Sequence, residues 1–179
     1  MKLINIAKHF KLITRHKWLV FKLCCKVGEP WRGFMHDISK YSPTEFWEGV
    51  KYYTGNHSPI MGAKKAQGYS KAWLHHKGRN KHHPEYWVDE TAPTKMPNMP
   101  YPFAVEMICD KLAAGMVYEG KNFTKEYELN YWKKERQYIR MNENMKKFVD
   151  EILEKVAEVG VDKALNKNNL KTVYEKYCK

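Results

Sequence analysis

Wherever a segment of this 179-residue chain is long enough to show a period, its apolar residues recur at helical spacing, and no Val/Ile-rich alternation interrupts them. That pattern leaves no strands from which to build a sheet and predicts an all-α fold. Residues 3–27 set it out first: Ile6, Phe10, Ile13, Val20, Leu23 and Val27 fall close to one helical side. Gly28 and Pro30 then end the helix. His16 lies on or beside the inward side, while His9 reads as an ordinary core or boundary histidine.

Residues 31–40, WRGFMHDISK, read as a loop entering a short helix. Ser42, Pro43 and Glu45 form a capping-box pattern, which gives Glu45 a structural role at a helix start. Residues 54–68 are rich in turn formers and read as a surface loop with His57 exposed. A helix resumes over 69–77 and breaks at Gly78, and Pro84 opens a further short segment. The four prolines of residues 91–102 exclude an ordinary helix or central strand, leaving a domain linker or an ordered lid. Residues 103–118 form an apolar helix with Asp110 in its middle, where an ionised carboxylate needs a cation or a metal. Two helices follow over 124–140 and 143–158, and a lysine-rich helix near 169–178 closes the chain.

The formal charge of +12 is uneven: residues 1–90 carry 16 Lys/Arg against 7 Asp/Glu. Such a half favours anionic partners such as nucleotides, phosphoesters, nucleic acid or acidic lipid. Cys24 and Cys109 lie in apolar runs and read as core thiols, which suits a reducing cytoplasm. No uncharged run approaches the ~18 residues of a membrane span, and no signal peptide is evident.

The chemistry concentrates in WLHHKGRNKHHPEYW, residues 73–87, which holds His75, His76, His82 and His83, half of the histidines. His36-Asp37 and Asp110 supply the same kinds of donor from elsewhere. Imidazoles and carboxylates brought together from separate helices, with one position left for water, are what a hydrolytic divalent metal needs. Periodicity does not choose within the pairs 75/76 and 82/83, because Gly78 interrupts the helix. No P-loop, G-x-G-x-x-G, G-x-S-x-G, H-E-x-x-H or C-x-x-C offers a competing chemistry.

The order His…His-Asp…His…His…Asp on an all-α scaffold resembles the HD-domain metal-dependent phosphohydrolases. HDISK is similar to their HD-x-G-K form, with Ser39 in place of glycine, and MICDKLA is similar to their closing aspartate helix. More closely, residues 9–118 resemble an uncharacterised family of short bacterial and phage proteins. Its marks are an H-K in the first helix, then HD-x-S-K and H-x-x-x-N-x-HH-x-x-Y-W; here these are His16-Lys17, His36 to Lys40 and His76 to Trp87.

The resemblance implies one HD-like helical domain over 1–179, with its core at 3–118 and a C-terminal helical extension at 121–179. It implies one or two divalent ions (Mn, Fe, Zn, Ni or Mg). His16, His36, Asp37 and Asp110 would hold the first ion, and His76 with His83 or His82 a second ion or the phosphate. Catalytic roles would fall to Asp37, Lys40 and Glu85, and substrate binding to Lys40, Arg79 and Asn80, with Arg32 a further neutralising cation. Lys40 occupies the place where nucleotidase-type members carry a glutamate, which argues against that type of activity. The expected partner is a small phosphorylated substrate, with nucleic acid and membrane not favoured and a homodimer open. Binding without turnover, and a purely structural histidine cluster, are the competing readings.

Overall fold

The computed structural model describes residues 3–179, and among these there is no β-strand. The order is α1 (Leu3–Lys26), α2 (Pro30–Met35), α3 (Pro43–Lys51), α4 (Pro59–Gln67), α5 (Lys71–Lys77), α6 (Tyr101–Glu119), α7 (Tyr127–Glu135), α8 (Glu143–Val159), α9 (Val161–Ala164) and α10 (Lys167–Cys178). Short 3-10 turns occupy Ile38–Tyr41, Pro84–Trp87 and Gly120–Asn122.

α6 is the axis. Ten of its residues are buried, among them Ala104, Val105, Ile108, Leu112 and Ala113. A helix apolar on most sides must be surrounded: α1 and α2 cover it on one flank, while α7 and α10 pack on others and α8 packs against α10. One cluster of buried residues runs from Val20 and Cys24 through Leu112 to Phe148, Ile152, Leu170 and Tyr174. Burying each large aliphatic side chain there contributes about 1.5–3 kcal/mol.

α1 and α2 come close enough that Gly33 has no room for a side chain. A Cβ there would lie 2.8 Å from the Phe21 Cα and 2.7 Å from the Cys24 Cβ. Lys17 Nζ donates to the carbonyls of Phe34 and His36, which fastens the end of α2 to α1. This contact sets His16 against His36.

Three expectations change. Residues 59–67, expected within a surface loop, form α4: Pro59 occupies its first turn, and Gly68 closes it with φ of 82°. The helix expected over 124–140 is confined to Tyr127–Glu135. The proline-rich stretch is neither a linker nor a lid over the site. Met99 is buried in the core, the Tyr174 hydroxyl donates to its carbonyl at 2.7 Å, and Asn142 Nδ2 donates to the Met96 carbonyl at 2.8 Å. It is a strap held against α8 and α10. His57 is exposed as expected. No helix among the described residues is long and apolar enough to cross a membrane.

Candidate metal centre

His16 comes from the middle of α1, and His36 and Asp37 come from the corner after α2. Asp37 takes the left-handed conformation, φ 53° and ψ 27°, the one non-glycine residue among those described to do so. Aspartate tolerates this region better than most residues, and it still carries strain of the kind functional corners hold. His76 is on α5, His82 and His83 follow in the turn after it, and Asp110 is near the centre of α6.

These residues form two groups. In the first, His16 Nε2 lies 2.9 Å from Asp110 Oδ1, and His36 Nε2 lies 3.2 Å from Asp37 Oδ2, 3.3 Å from His16 Nε2 and 3.5 Å from Asp110 Oδ1. In the second, Asp37 Oδ1 lies 3.2 Å from His76 Nε2 and 3.5 Å from His82 Nε2, and the Nε2 atoms of His76 and His83 are 2.9 Å apart. Donors about 2.1 Å from one ion stand roughly 3.0 Å apart at right angles and 3.4 Å apart in a tetrahedron. The observed spacings fall around those values. Asp37 belongs to both groups, one oxygen to each, and Asp110 Oδ2 reaches towards the second group, 3.7 Å from His82 Nε2.

Hydrogen bonding favours a cation. Both carboxylate oxygens of Asp37 and Nε2 of His82 are buried and make no hydrogen bond. Lys40 Nζ, 2.6 Å from Asp37 Oδ2, contributes charge rather than a well-directed bond. Buried carboxylate oxygens of this kind need positive partners: Lys40 and the protonated forms of His36 and His76 can supply them, and a metal ion could take their place. The buried His/Asp groups could therefore hold a metal ion.

The other side of the imidazoles is occupied. Glu106 Oε1 accepts from Nδ1 of His36 and from Nδ1 of His82, each at 3.0 Å, while its Oε2 accepts from Arg32 Nε at 2.8 Å. Glu45 Oε2 accepts from His76 Nδ1 at 2.7 Å and Oε1 from His75 Nδ1 at 2.6 Å. Carboxylates on Nδ1 hold the proton there, so that an imidazole that has lost its second proton turns the Nε2 lone pair towards the centre. His36, His82 and Glu106 also lie close enough to form a third group, but there both imidazoles offer N–H to the carboxylate.

Electrostatics follow. Burial works to raise the pKa of Asp37, but His36, Lys40 and His76 overcome it and hold the carboxyl well below its usual range. Asp110 is likewise lowered against burial by His16 and His36. Burial opposes ionisation of Glu106 too, yet hydrogen bonds from His36 and His82 hold it at about 2. His76, against its own burial, is raised to about 9 by Asp37 and Glu45. His16 is lowered, chiefly by burial.

Some expected residues are placed elsewhere. Glu45 does not close a capping box: Ser42 Oγ accepts from its backbone N–H, but its side chain turns inward to the histidines. Asn80 ties Ser39 to α5, donating to Ser39 Oγ and to the His76 carbonyl, each at 2.8 Å, so it braces His76. Arg79 is exposed and faces a different surface hollow, shared with Arg32. Glu85 lies in the 84–87 turn and belongs to neither group. Arg79 and Glu85 are displaced because the chain turns after Gly78 and leaves the helix direction, which sends His82 and His83 inward instead. Glu106 was not expected. Its signal was its place four residues before Asp110 on the same apolar helix.

A cavity of about 250 Å³ opens onto His16, His76, His83, Asp110 and Lys40. No curated protein and no solved structure matches the chain. A family model described as a family of unknown function, DUF5662, matches residues 5–155, and the chain belongs to that family.

Proposed function

We propose that the protein is a metal-dependent phosphohydrolase that holds two divalent ions and acts on a nucleotide or another small phosphoester. The observation that carries this reading is Asp37, whose two buried oxygens face separate sets of imidazoles, Oδ2 with Lys40 beside it. Bound divalent ions would polarise a phosphoryl oxygen and bring the pKa of a water towards neutrality.

The chain's own residues then have distinct tasks. His16, His36 and Asp110 complete the first site, and His76, His82 and His83 the second. Glu106 and Glu45 keep the imidazoles oriented and in the right tautomer. Lys40, at the cavity wall, moves from Asp37 to a phosphate oxygen when substrate enters. The ring of Trp73, stacked near His76 and edge-on to His83, keeps water from their flank. The order of His16, His36-Asp37, His76, His82-His83 and Asp110, which resembles that of HD-domain phosphohydrolases, supports the same reading.

The test is metal analysis of purified protein followed by a phosphatase and phosphodiesterase screen with Mn²⁺. Turnover that is lost in Asp37→Asn supports the reading. Bound metal with no turnover of any phosphoester would instead mark a binding protein.

A further inference from the structure

On the hydrolase reading, the walls of the cavity bear on which phosphoester it can take. Away from the ligand residues, the cavity is lined mostly by apolar side chains, among them Leu12, Ile13, Ile60 and Trp73, with Ser58 and Tyr118 adding hydroxyls. Among the described residues Lys40 is the one lysine or arginine along it, while Glu45 and Glu48 contribute carboxylates. Glu48 is held there by Ser70 Oγ and by the backbone N–H groups of Lys71 and Ala72, at 3.2 and 3.1 Å. His9 also lines the cavity; burial, aided by the charge of Lys40, lowers its pKa to about 4, so it adds no cation at neutral pH. Among the described residues, little of the chain's positive charge thus enters this space; Lys64 Nζ lies behind the wall, 5.0 Å from the centre of the Trp73 ring.

One phosphate can be neutralised at the end beside Lys40 and the ligand residues. A second or third phosphate would meet mainly hydrocarbon and carboxylates, with the neutral hydroxyls of Ser58 and Tyr118, and would lose hydration without a counter-charge. The volume of about 250 Å³ is below the range of about 300–1,000 Å³ common for drug-sized ligands, which limits the body to one ring system or a short chain.

We infer that the substrate is a monoester with a single phosphate and an uncharged, largely apolar body that packs against Ile13, Ile60 and Trp73. Polyphosphates and nucleic acid should bind more weakly.

Binding to the Mn²⁺-loaded full-length chain, measured by calorimetry, tests this independently of turnover. Phenylphosphonate should bind about tenfold or more tighter than methylphosphonate, and tighter than adenosine triphosphate. Ile60→Trp, which narrows the wall at a half-buried position, should reduce the phenyl-over-methyl preference while metal content stays the same. Equal binding of the two phosphonates, tighter binding of the triphosphate, or an unchanged preference in Ile60→Trp would overturn the inference. A separate assay of phenyl phosphate hydrolysis reports on the hydrolase reading alone: phosphonate selectivity without hydrolysis removes the enzyme and keeps the pocket.

Discussion

Glu106 stands four residues before Asp110 on α6, so a single helix supplies a carboxylate at the centre and the carboxylate that orients two of its imidazoles. Replacing Glu106 with glutamine keeps the size and removes the charge that holds both Nδ1 protons. The expected outcome for Glu106→Gln is a metal affinity about 10- to 100-fold weaker with the helical circular dichroism signal retained. Affinity within twofold of the parent would show that Glu106 is only a packing residue.

Metal binding should release protons. His76 has a pKa raised to about 9 and His36 is also raised, so at pH 7 both carry a proton that a metal must displace. Affinity is therefore expected to rise with pH until about 9 and to fall steadily below neutrality. Titrating Mn²⁺ or Zn²⁺ into weakly buffered protein at pH 7.5 should acidify the solution, and a pH-independent affinity would contradict the assignment.

Glu128 offers a pH effect away from the centre. It is buried, and desolvation outweighs nearby Lys111 to raise its pKa from 4.5 to about 7. A carboxyl raised on folding stabilises the protein fully below 4.5, and that stability is lost as pH climbs through about 7. Urea midpoints should therefore drop between those values. Glu128→Gln should flatten that slope and gain on the order of 2 kcal/mol at pH 8.

Gly33→Ala tests the contact between α1 and α2. Its Cβ would meet backbone at Phe21, so one helix must retreat from the other. A loss of about 1–3 kcal/mol is expected, together with weaker metal binding, because the same contact sets His16 against His36. Thermal melts of the metal-free protein and a metal titration report the two effects separately.

How much of this was legible in the sequence depends on the range of the forces involved. The all-α class follows from local periodicity; α1 and α6 run within two residues of their expected bounds, and α3 starts at Pro43 behind its Ser42 cap. The ligand types stood out because histidine and aspartate are chemically unambiguous. Glu45 was misread because a capping box is a local pattern, whereas its partners His75 and His76 lie 30 and 31 residues away. The choice between His82 and His83 had no periodic answer: the turn after Gly78 sends both inward. Helix α4 was hidden by glycine and proline that here serve as its first turn, interior and cap.

The measurement that bears most directly on the centre is metal stoichiometry by mass spectrometry of parent, His83→Ala and Asp37→Asn proteins after reconstitution and desalting. The geometry predicts two ions per chain in the parent, one in His83→Ala and loss of both in Asp37→Asn, since Asp37 serves each set of imidazoles. A parent that retains no ion, or an Asp37→Asn protein that keeps the parent's full content, would contradict the shared centre.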